Sequence, residues 1–403
     1  MIIFFAQLIT AVGYSSIFPF LPLYVEDLGS TTNLSIELLA GLVFSAQAIT
    51  MMIASPIWGI VADRYGRKLM VERSLFGGAL IVLLMAFVGS AEELILLRMI
   101  QGLVAGTLAA TSALVASSAP RDRTGYAMGL LQVGFGTGLA FGPLIGGVMA
   151  DAFGYAASFY VTSGLLLIAG IMVWIGVDEK FSPSAVDGDR QNNPLEKWRR
   201  MLSGPGVMIT YSIRFLSQLG RMMIIPILPL FIGTLRTYAI GVNTFTGLVI
   251  ACGSAATTLS AIYLGRLGDR VGHRKIVIVG IFSAGLLYIP LSLIFEGWQI
   301  LVLFALVGVA MGGVIPGISA LLSAYTVPGE EGSVFGLDNS IRAGARSIAP
   351  LLGSGVALLF GMRGTFVATA VILLLASGLA AWRLPRPKAS ARVLSTQTET
   401  RAW

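Results

Sequence analysis

The chain has 403 residues, of which 56% are hydrophobic and only 12% charged, and its mean hydropathy is +0.84. Soluble domains carry roughly 25% charged residues, so this composition excludes a water-soluble protein and predicts a chain that lies in lipid. A single cysteine and a single histidine exclude a disulfide framework and a histidine-based zinc site. The 27 Lys and Arg residues are scattered through short loops, which argues against nucleic-acid binding.

Twelve apolar stretches predict twelve membrane-spanning helices, because about 20 apolar residues cross roughly 30 Å of hydrocarbon. In chain order the predicted helices cover residues 1–24, 38–61, 69–89, 94–117, 126–150, 157–177, 207–232, 242–265, 275–295, 299–325, 333–359 and 364–382. One long polar stretch separates the first six from the last six. We therefore predict an all-α membrane protein with an N-terminal six-helix bundle (1–177), a linker (178–206), a C-terminal six-helix bundle (207–383) and a tail (384–403).

Basic residues are distributed unequally between the two sides of the predicted membrane. The loops between helices 2 and 3, 4 and 5, 6 and 7, and 8 and 9, together with the tail and the adjoining helix ends (Arg73, Lys275 and Arg383), hold 20 Lys and Arg, whereas the opposite loops hold two, Arg236 and Arg363. Basic residues accumulate in cytoplasmic loops. We therefore predict a multi-pass protein of the cell membrane with both termini and the linker in the cytoplasm.

A charged segment between predicted helices 2 and 3 returns between helices 8 and 9, 206 residues later. The two copies read Gly59-Ile-Val-Ala-Asp63-Arg64-Tyr-Gly66-Arg67-Lys68 and Gly265-Arg-Leu-Gly-Asp269-Arg270-Val-Gly272-His273-Arg274. Pro143 in helix 5 likewise matches Pro350 in helix 11. Since six helices separate the copies, the two halves have the same orientation in the membrane, the parallel arrangement of the major facilitator transporters.

The residue types of the charged segment suit a gate on the cytoplasmic side. Gly66 permits a tight reversal that a Cβ would obstruct, and Arg67 and Lys68 would hold the loop at the anionic inner leaflet. Asp63 would stabilise one conformation by pairing with a basic group or a helix N-terminus. A segment that only sets topology is the alternative, but the second copy favours the gate, in which we expect Asp269 to be the weaker counterpart.

Three segments together resemble the major facilitator superfamily, in its branch of twelve-helix drug:proton antiporters. The Asp63 segment matches the signature between helices 2 and 3, Arg98-Met-Ile-Gln101-Gly102 looks like the second signature, and residues 134–147 look like the motif of the antiporter branch in helix 5. The resemblance covers nearly all of the chain apart from the linker and the last twenty residues. It implies a role for Arg98 in coupling, and gating or coupling roles for Gly59, Asp63, Arg64, Gly66, Arg67, Lys68, Arg98, Asp269, Arg270 and Gly272.

Glycines recur every fourth residue in predicted helix 5, at Gly134, Gly138, Gly142 and Gly146. They lie on one face and let another helix backbone approach closely, while Pro143 removes a backbone hydrogen bond and can kink the helix. A plain packing groove explains this spacing equally well. We favour a flexing seam formed by Gly138, Gly142, Pro143 and Gly146, because the proline returns in the second half.

Five arginines lie inside predicted helices: Arg98, Arg214, Arg221, Arg342 and Arg346. Charges at membrane depth face a cavity or a partner, although snorkelling or structural pairing also accounts for Arg214, Arg221 and Arg342. Many exporters of cationic drugs keep a carboxylate inside helix 1, whereas residues 13–18 contain no acid here. We therefore predict substrates that are anionic, zwitterionic or neutral amphiphiles.

Polar, aromatic and methionine side chains from both halves are candidates for an adaptable substrate pocket. The predicted pocket residues are Tyr14, Gln47, Gln132, Gln218, Met222, Asn339, Arg342 and Arg346, with Phe18 and Met223 as further candidates. Most such side chains in a membrane bundle only pack against their neighbours, which is the alternative for each of them.

The sequence thus predicts a monomeric secondary active transporter that exports small amphiphilic compounds or drugs by alternating access, with the proton gradient as energy source and no cofactor. A transporter of a defined organic anion or sugar and a nontransporting membrane receptor are the alternatives. We predict no enzymatic activity, since the chain contains no G-x-S-x-G elbow, H-E-x-x-H helix or P-loop.

Overall fold

The computed structural model describes residues 1–118, 124–179, 206–236, 240–325 and 331–385, and every regular element in these ranges is a helix. The N-terminal half contains α1 (Ile2–Ser16), α2 (Leu21–Leu28), α3 (Ile36–Tyr65), α4 (Arg67–Leu84), α5 (Ala91–Val104), α6 (Thr107–Ser118), α7 (Thr124–Phe153) and α8 (Tyr155–Gly176). The C-terminal half contains α9 (Val207–Met223), α10 (Leu228–Gly233), α11 (Val242–Val271), α12 (His273–Leu291), α13 (Gly297–Gly312), α14 (Val314–Tyr325) and α15 (Glu331–Arg383). Most of the predicted linker and tail lies outside the described residues.

Nine helical stretches of the described chain are long and apolar enough to cross a membrane, or ten if the bent pair α1 and α2 forms one span. The total of twelve therefore stays a prediction. Predicted helix 94–117 is not continuous, because the chain breaks between α5 and α6 at Gly106, whose φ is 130°. Predicted helices 333–359 and 364–382 form α15, whose backbone leaves the helical region at Gly361.

The first helix of each half was predicted as continuous and is broken instead. Helices α1 and α2 meet at an angle of 41°. Helices α9 and α10 are also separate, but Val207–Gly233 still forms one membrane-spanning stretch without so large a bend. Both short second helices carry a proline in the first turn, Pro22 in α2 and Pro229 in α10. Proline is accepted there because the first turn has no intrahelical partner for its missing N–H.

The segment predicted as a charged turn is the end of a helix followed by one glycine. Helices α3 and α11 are each 30 residues long, and α4 and α12 begin directly after Gly66 and Gly272. These two glycines have φ angles of 103° and 96°, a region that costs other residues energy and glycine almost none. Asp63 and Arg64 thus lie in the last turn of α3 rather than in a loop.

Each half has its own buried hydrophobic core. One cluster extends in sequence from Ala6 to Val177 and the other from Val207 to Leu384. The two cores contain Phe20 with Phe159, and Phe231 with Phe366, as aromatic pairs. Two separate cores allow the halves to behave as two bodies.

The glycine face of α7 packs against the backbone of α1. A Cβ added to Gly138 would lie 2.8 Å from the Val12 nitrogen, and one added to Gly146 would lie 2.8 Å from the Ser16 Cα. The second half repeats the arrangement, since a Cβ on Gly353 would lie 2.9 Å from the Met223 Cα. Helix α7 is therefore in backbone contact with α1, and α15 is in backbone contact with α9.

Gly146→Ala should destabilise the protein by about 1–3 kcal/mol, because the added methyl group overpacks the contact with α1. Gly164→Ala in α8 is the matched control, since nothing lies within 4 Å of a Cβ there and alanine favours a helix. Thermal unfolding of both purified variants in detergent measures the difference. Equal melting temperatures for the two variants would contradict the packing described here.

Candidate functional site

The two halves meet through glycines that face prolines across the interface. A Cβ on Gly41 of α3 would lie 2.9 Å from the Pro350 carbonyl oxygen of α15. In the symmetry-related pair, a Cβ on Gly247 of α11 would collide with the Pro143 carbonyl oxygen of α7. A Cβ on Gly147 would lie 2.9 Å from the Thr244 Cα. Helix α7 therefore presents Gly138, Gly142 and Gly146 to its own half, and Pro143 and Gly147 to the other half.

A carboxylate reinforces this interface at one end of the molecule. Asp151, near the end of α7, accepts hydrogen bonds from the Asn243 amide at 2.8 Å and from the Thr244 backbone N–H at 2.6 Å. Asn243 and Thr244 lie in the first turn of α11, whose free N–H groups and dipole favour a negative charge. The sequence analysis missed Asp151, although an acid after the glycine- and proline-rich helix was a usable signal.

The same helix faces are apart at the other end, which carries Gly66 and Gly272. Gly59 and Gly265 lie 18 residues, or five turns, after Gly41 and Gly247, and are therefore on the same faces of α3 and α11. Apart from chain neighbours and the backbone of its own helix, no described atom lies within 4 Å of a Cβ built on Gly59, Gly265, Gly129 or Gly336. A Cβ built on Gly136 of α7 would lie 3.7 Å from the Thr258 hydroxyl of α11, a looser contact than those at Pro143 and Gly147. Among the described residues, the two halves are therefore joined at the Asp151 end, whereas these glycines at the charged end contact no neighbouring helix.

The predicted gate residues have contacts within their own halves. The backbone N–H groups of Arg67 and Lys68 donate to the Glu179 carboxylate at 3.0 and 2.8 Å, which caps α4. Glu179, after α8, was assigned to the linker by the sequence analysis, and its role was missed. Asp269 is exposed and lies 3.1 Å from the His273 ring of the next helix. Arg64 and Arg270 are exposed, and the Asp63 side chain lies outside the described atoms.

Four arginines of the C-terminal half form an arginine cluster around one carboxylate: Arg214 and Arg221 on α9, and Arg342 and Arg346 on α15. The Asp338 carboxylate is fully buried and accepts from Arg214 Nε and Arg342 Nε, both at 2.8 Å. Arg214 also donates to Ser319 Oγ at 2.8 Å and is 2% exposed. Arg214 thus has the structural pairing that the sequence analysis considered as its alternative.

The cluster has more positive charge than Asp338 neutralises. Arg221 and Arg346 have no carboxylate within 4 Å among the described residues, and both interact electrostatically with Arg342. Arg346 is exposed, whereas Arg342 has 29% of its side chain accessible. Guanidinium groups are fork-shaped donors that match carboxylates and phosphates. The accessible side of the cluster can therefore bind an anion.

The N-terminal half lacks this charge at the equivalent positions. The residues 207 positions before the four arginines are Gln7, Tyr14, Phe135 and Leu139. The buried arginine of this half is Arg98 on α5, whose Nη1 donates to the Gln47 and Gln101 side-chain oxygens at 3.1 and 2.7 Å. The excess charge is thus an asymmetric feature of an otherwise symmetric pair.

The other predicted pocket residues lie in different environments and are not brought together in one place by the contacts described here. The Tyr14 hydroxyl donates to the Ser74 carbonyl at 3.3 Å, and Tyr14 interacts electrostatically with Arg98. Gln218 is buried, and Met222 packs on the hydrophobic cluster of Leu219 and Met223. Gln132 and Asn339, 207 residues apart, are exposed at equivalent positions of α7 and α15. Phe18 packs against Phe44.

Comparison with known proteins identifies the family. A sequence model described as the Major Facilitator Superfamily matches residues 3–213 and residues 210–402. The chain belongs to the major facilitator superfamily. The resemblance inferred from the three motifs is confirmed, and the two matched ranges correspond to the two halves described above.

Curated members of the superfamily resemble the chain over most of its length. Multidrug resistance protein MdtG of Serratia proteamaculans is 34% identical over 391 residues, covering 97% of this chain and 95% of that protein. MdtG of Enterobacter lignolyticus is 34% identical over 366 residues, covering 91% and 87%.

Solved structures share the major facilitator fold. A bacterial homologue of the human lysosomal transporter Spinster, in an inward-facing and occupied conformation, has a TM-score of 0.77 at 13% identity, covering 94% of this chain and 95% of that one. The human organic anion transporter MFSD10 has a TM-score of 0.66 at 19% identity, covering 94% and 98%. Both similarities support the predicted all-helical fold class.

Asp151→Ala should make opening of this superfamily member at the Asp151 end easier, because it removes the hydrogen bonds that join α7 to Asn243 and Thr244 of α11. A charge-assisted hydrogen bond stabilises a folded state by about 1.5–3 kcal/mol. Helices α2 and α10 contact each other at that end. Spin labels at Asp27→Cys and Thr234→Cys in a Cys252→Ser background should therefore show a larger population of long distances in the variant.

Glu296→Ala is the matched control, since Glu296 caps α13 together with Gln299 within one half. It should leave the distance distribution unchanged. An Asp151→Ala distribution that equals wild type would show that Asp151 does not hold the halves together.

Proposed function

We propose that this protein is a secondary active exporter of small amphiphilic drugs, that it works by alternating access, and that its substrates carry an anionic or zwitterionic group. The full-length similarity to multidrug resistance proteins supports drug efflux. The arginine cluster is the observation that carries the choice of substrate class. A transporter of one defined organic anion is a second candidate, favoured by the same cluster.

The contacts between the halves support alternating access. Glycine–proline backbone contacts and the Asp151 hydrogen bonds close one end, while the same helix faces are apart at the other. Rotation of the two halves about the contacts of α7 with α11 and of α3 with α15 would open the Asp151 end and close the charged end. We place the charged end in the cytoplasm because 20 basic residues belong to that side and two to the other. The described state is then the inward-open one.

Within the cluster we assign different roles to the arginines. Arg221 and Arg346 would contact the anionic group, since neither has a carboxylate partner among the described residues, and Arg342 would contribute from the edge. Arg214 and Asp338 would hold Arg342 in place. The exposed Gln132 and Asn339 would contact the neutral part of a substrate, and we assign no resident cofactor.

We propose the proton gradient as the energy source, but not Asp338 as the proton carrier. Protonation of Asp338 would free Arg342 and strengthen binding of an anion. Proton and anion would then bind together, which gives symport, whereas antiport requires that one displaces the other. Asp338 is therefore assigned to the structure of the site. We further propose that the protein works as a monomer and has no enzymatic activity.

Arg346→Gln and Arg221→Gln should each raise KM for an anionic amphiphile about tenfold, because each removes a charge-assisted hydrogen bond of about 1.5 kcal/mol or more. Flux into proteoliposomes should be compared for a carboxylate and an amine built on the same apolar body. Arg363→Gln is the control, since Arg363 binds the Ser292 and Ile294 carbonyls outside the cluster. Preferred transport of the amine by wild type would refute the assigned substrate class.

Proton coupling should appear as substrate-dependent proton movement in proteoliposomes with an imposed pH gradient. A pH-sensitive dye in the lumen should report protons moving against the substrate. Substrate flux that does not respond to the gradient would leave facilitated diffusion and would reject antiport. Movement of protons in the same direction as the anion would instead identify a symporter.

A further inference from the structure

The N-terminal half contains a group of buried donors that have no acceptor. Arg98 is 2% exposed and Gln101 is 1% exposed. Arg98 Nε, Arg98 Nη2 and Gln101 Nε2 are buried and have no hydrogen-bond partner in the described part of the chain. Arg98 and Gln101 are three positions apart on α5, so both side chains lie on one helix face.

No carboxylate of the described residues forms an ion pair with Arg98. The described ion pairs lie elsewhere, at Lys68, Arg214, His273 and Arg342. The charged and titratable groups nearby are Tyr14, which interacts electrostatically with Arg98, and Arg73, a second cation that also interacts with Tyr14. A guanidinium group remains charged in proteins, and an isolated buried charge is costly. The Phe44 ring attracts the Arg98 cation only weakly at 5.9 Å, so the arrangement favours an anion beside Arg98.

A water molecule fits these donors poorly. Buried water makes about three hydrogen bonds and needs acceptors for its own hydrogens. The amide oxygens of Gln47 and Gln101 accept from Nη1 and each keeps a second lone pair, but a neutral water would leave the charge of Arg98 uncompensated. The Phe44 ring, 5.9 Å from the guanidinium carbon, closes another side with an apolar surface. A spherical anion accepts from several donors and has no hydrogens to satisfy.

The location excludes an organic substrate. Arg98 and Gln101 are almost completely enclosed, and a Cβ on the neighbouring Gly102 would collide with the Gln47 carbonyl oxygen and the Thr50 hydroxyl. The arginine cluster, by contrast, includes the exposed Arg346. Donors as enclosed as these suit a small inorganic ion.

We propose that the N-terminal half binds one small inorganic anion, chloride in the cell, between the Arg98 guanidinium and the Gln101 amide. The ion neutralises Arg98 and joins α5 to α3 through the shared contacts with Gln47. The site is separate from the arginine cluster, and it does not depend on which substrate the protein transports.

Equilibrium dialysis with radioactive chloride, in a gluconate buffer, tests the site on the purified full-length protein. Wild type and Arg346→Met should both bind chloride here, whereas Arg98→Met should lose this binding. Gln101→Leu keeps the charge and removes one donor, so its affinity for chloride should fall about tenfold. The Gln101→Leu variant therefore still tests the site if Arg98→Met does not fold.

Crystals grown in bromide locate the ion. The proposal expects an anomalous peak within hydrogen-bond distance of Arg98 and Gln101. Chloride binding that survives Arg98→Met and disappears with Arg346→Met would move the site to the arginine cluster and overturn the proposal. An ordered water without anomalous signal at this position, or unchanged affinity in Gln101→Leu, would overturn it as well.

Discussion

The backbone contacts of α7 constrain the rest of the structure. One face of this helix approaches α1 through Gly138, Gly142 and Gly146, and another approaches α11 through Pro143 and Gly147. Lipid supplies no hydrophobic force between helices, so close backbone packing through small residues holds them together. Because α7 contacts its own half and the opposite half along its length, any movement of one half against the other changes these contacts first. The Asp151 carboxylate adds a directional bond at one end, and its loss would favour opening there.

The symmetry of the backbone and the asymmetry of charge have different consequences. Equivalent glycines and prolines repeat 206 or 207 residues apart, which lets the halves rock about an axis between them. The four cluster arginines have no charged counterparts in the N-terminal half. A substrate would therefore be held by its anionic group on one half, while the other half closes over its remainder. Because only the anionic group would be bound by charged side chains, the apolar part of the substrate could vary, as drug efflux requires.

Sequence patterns predicted the family, the parallel repeat and most helix limits, because hydropathy and glycine spacing are local signals. They did not predict the breaks at Gly106 and within α1–α2, since a glycine or proline in an apolar run is compatible with a continuous helix as well. The residue pairs that build the site were also missed. Asp151 with Asn243, Glu179 with Lys68, and Asp338 with Arg214 join residues far apart in sequence. Such contacts follow from tertiary packing, which residue spacing within one helix does not report.

Rocking of the halves about the α7 seam is the central claim of this account. Double electron–electron resonance on two label pairs, in a Cys252→Ser background with no other change, tests it most directly. One pair spans the α2–α10 end and the other spans the charged end between α3 and α15. When substrate and a pH gradient shift the population, the account predicts that the first distance increases while the second decreases. Distances that change at one end only, or that increase together at both ends, would contradict it.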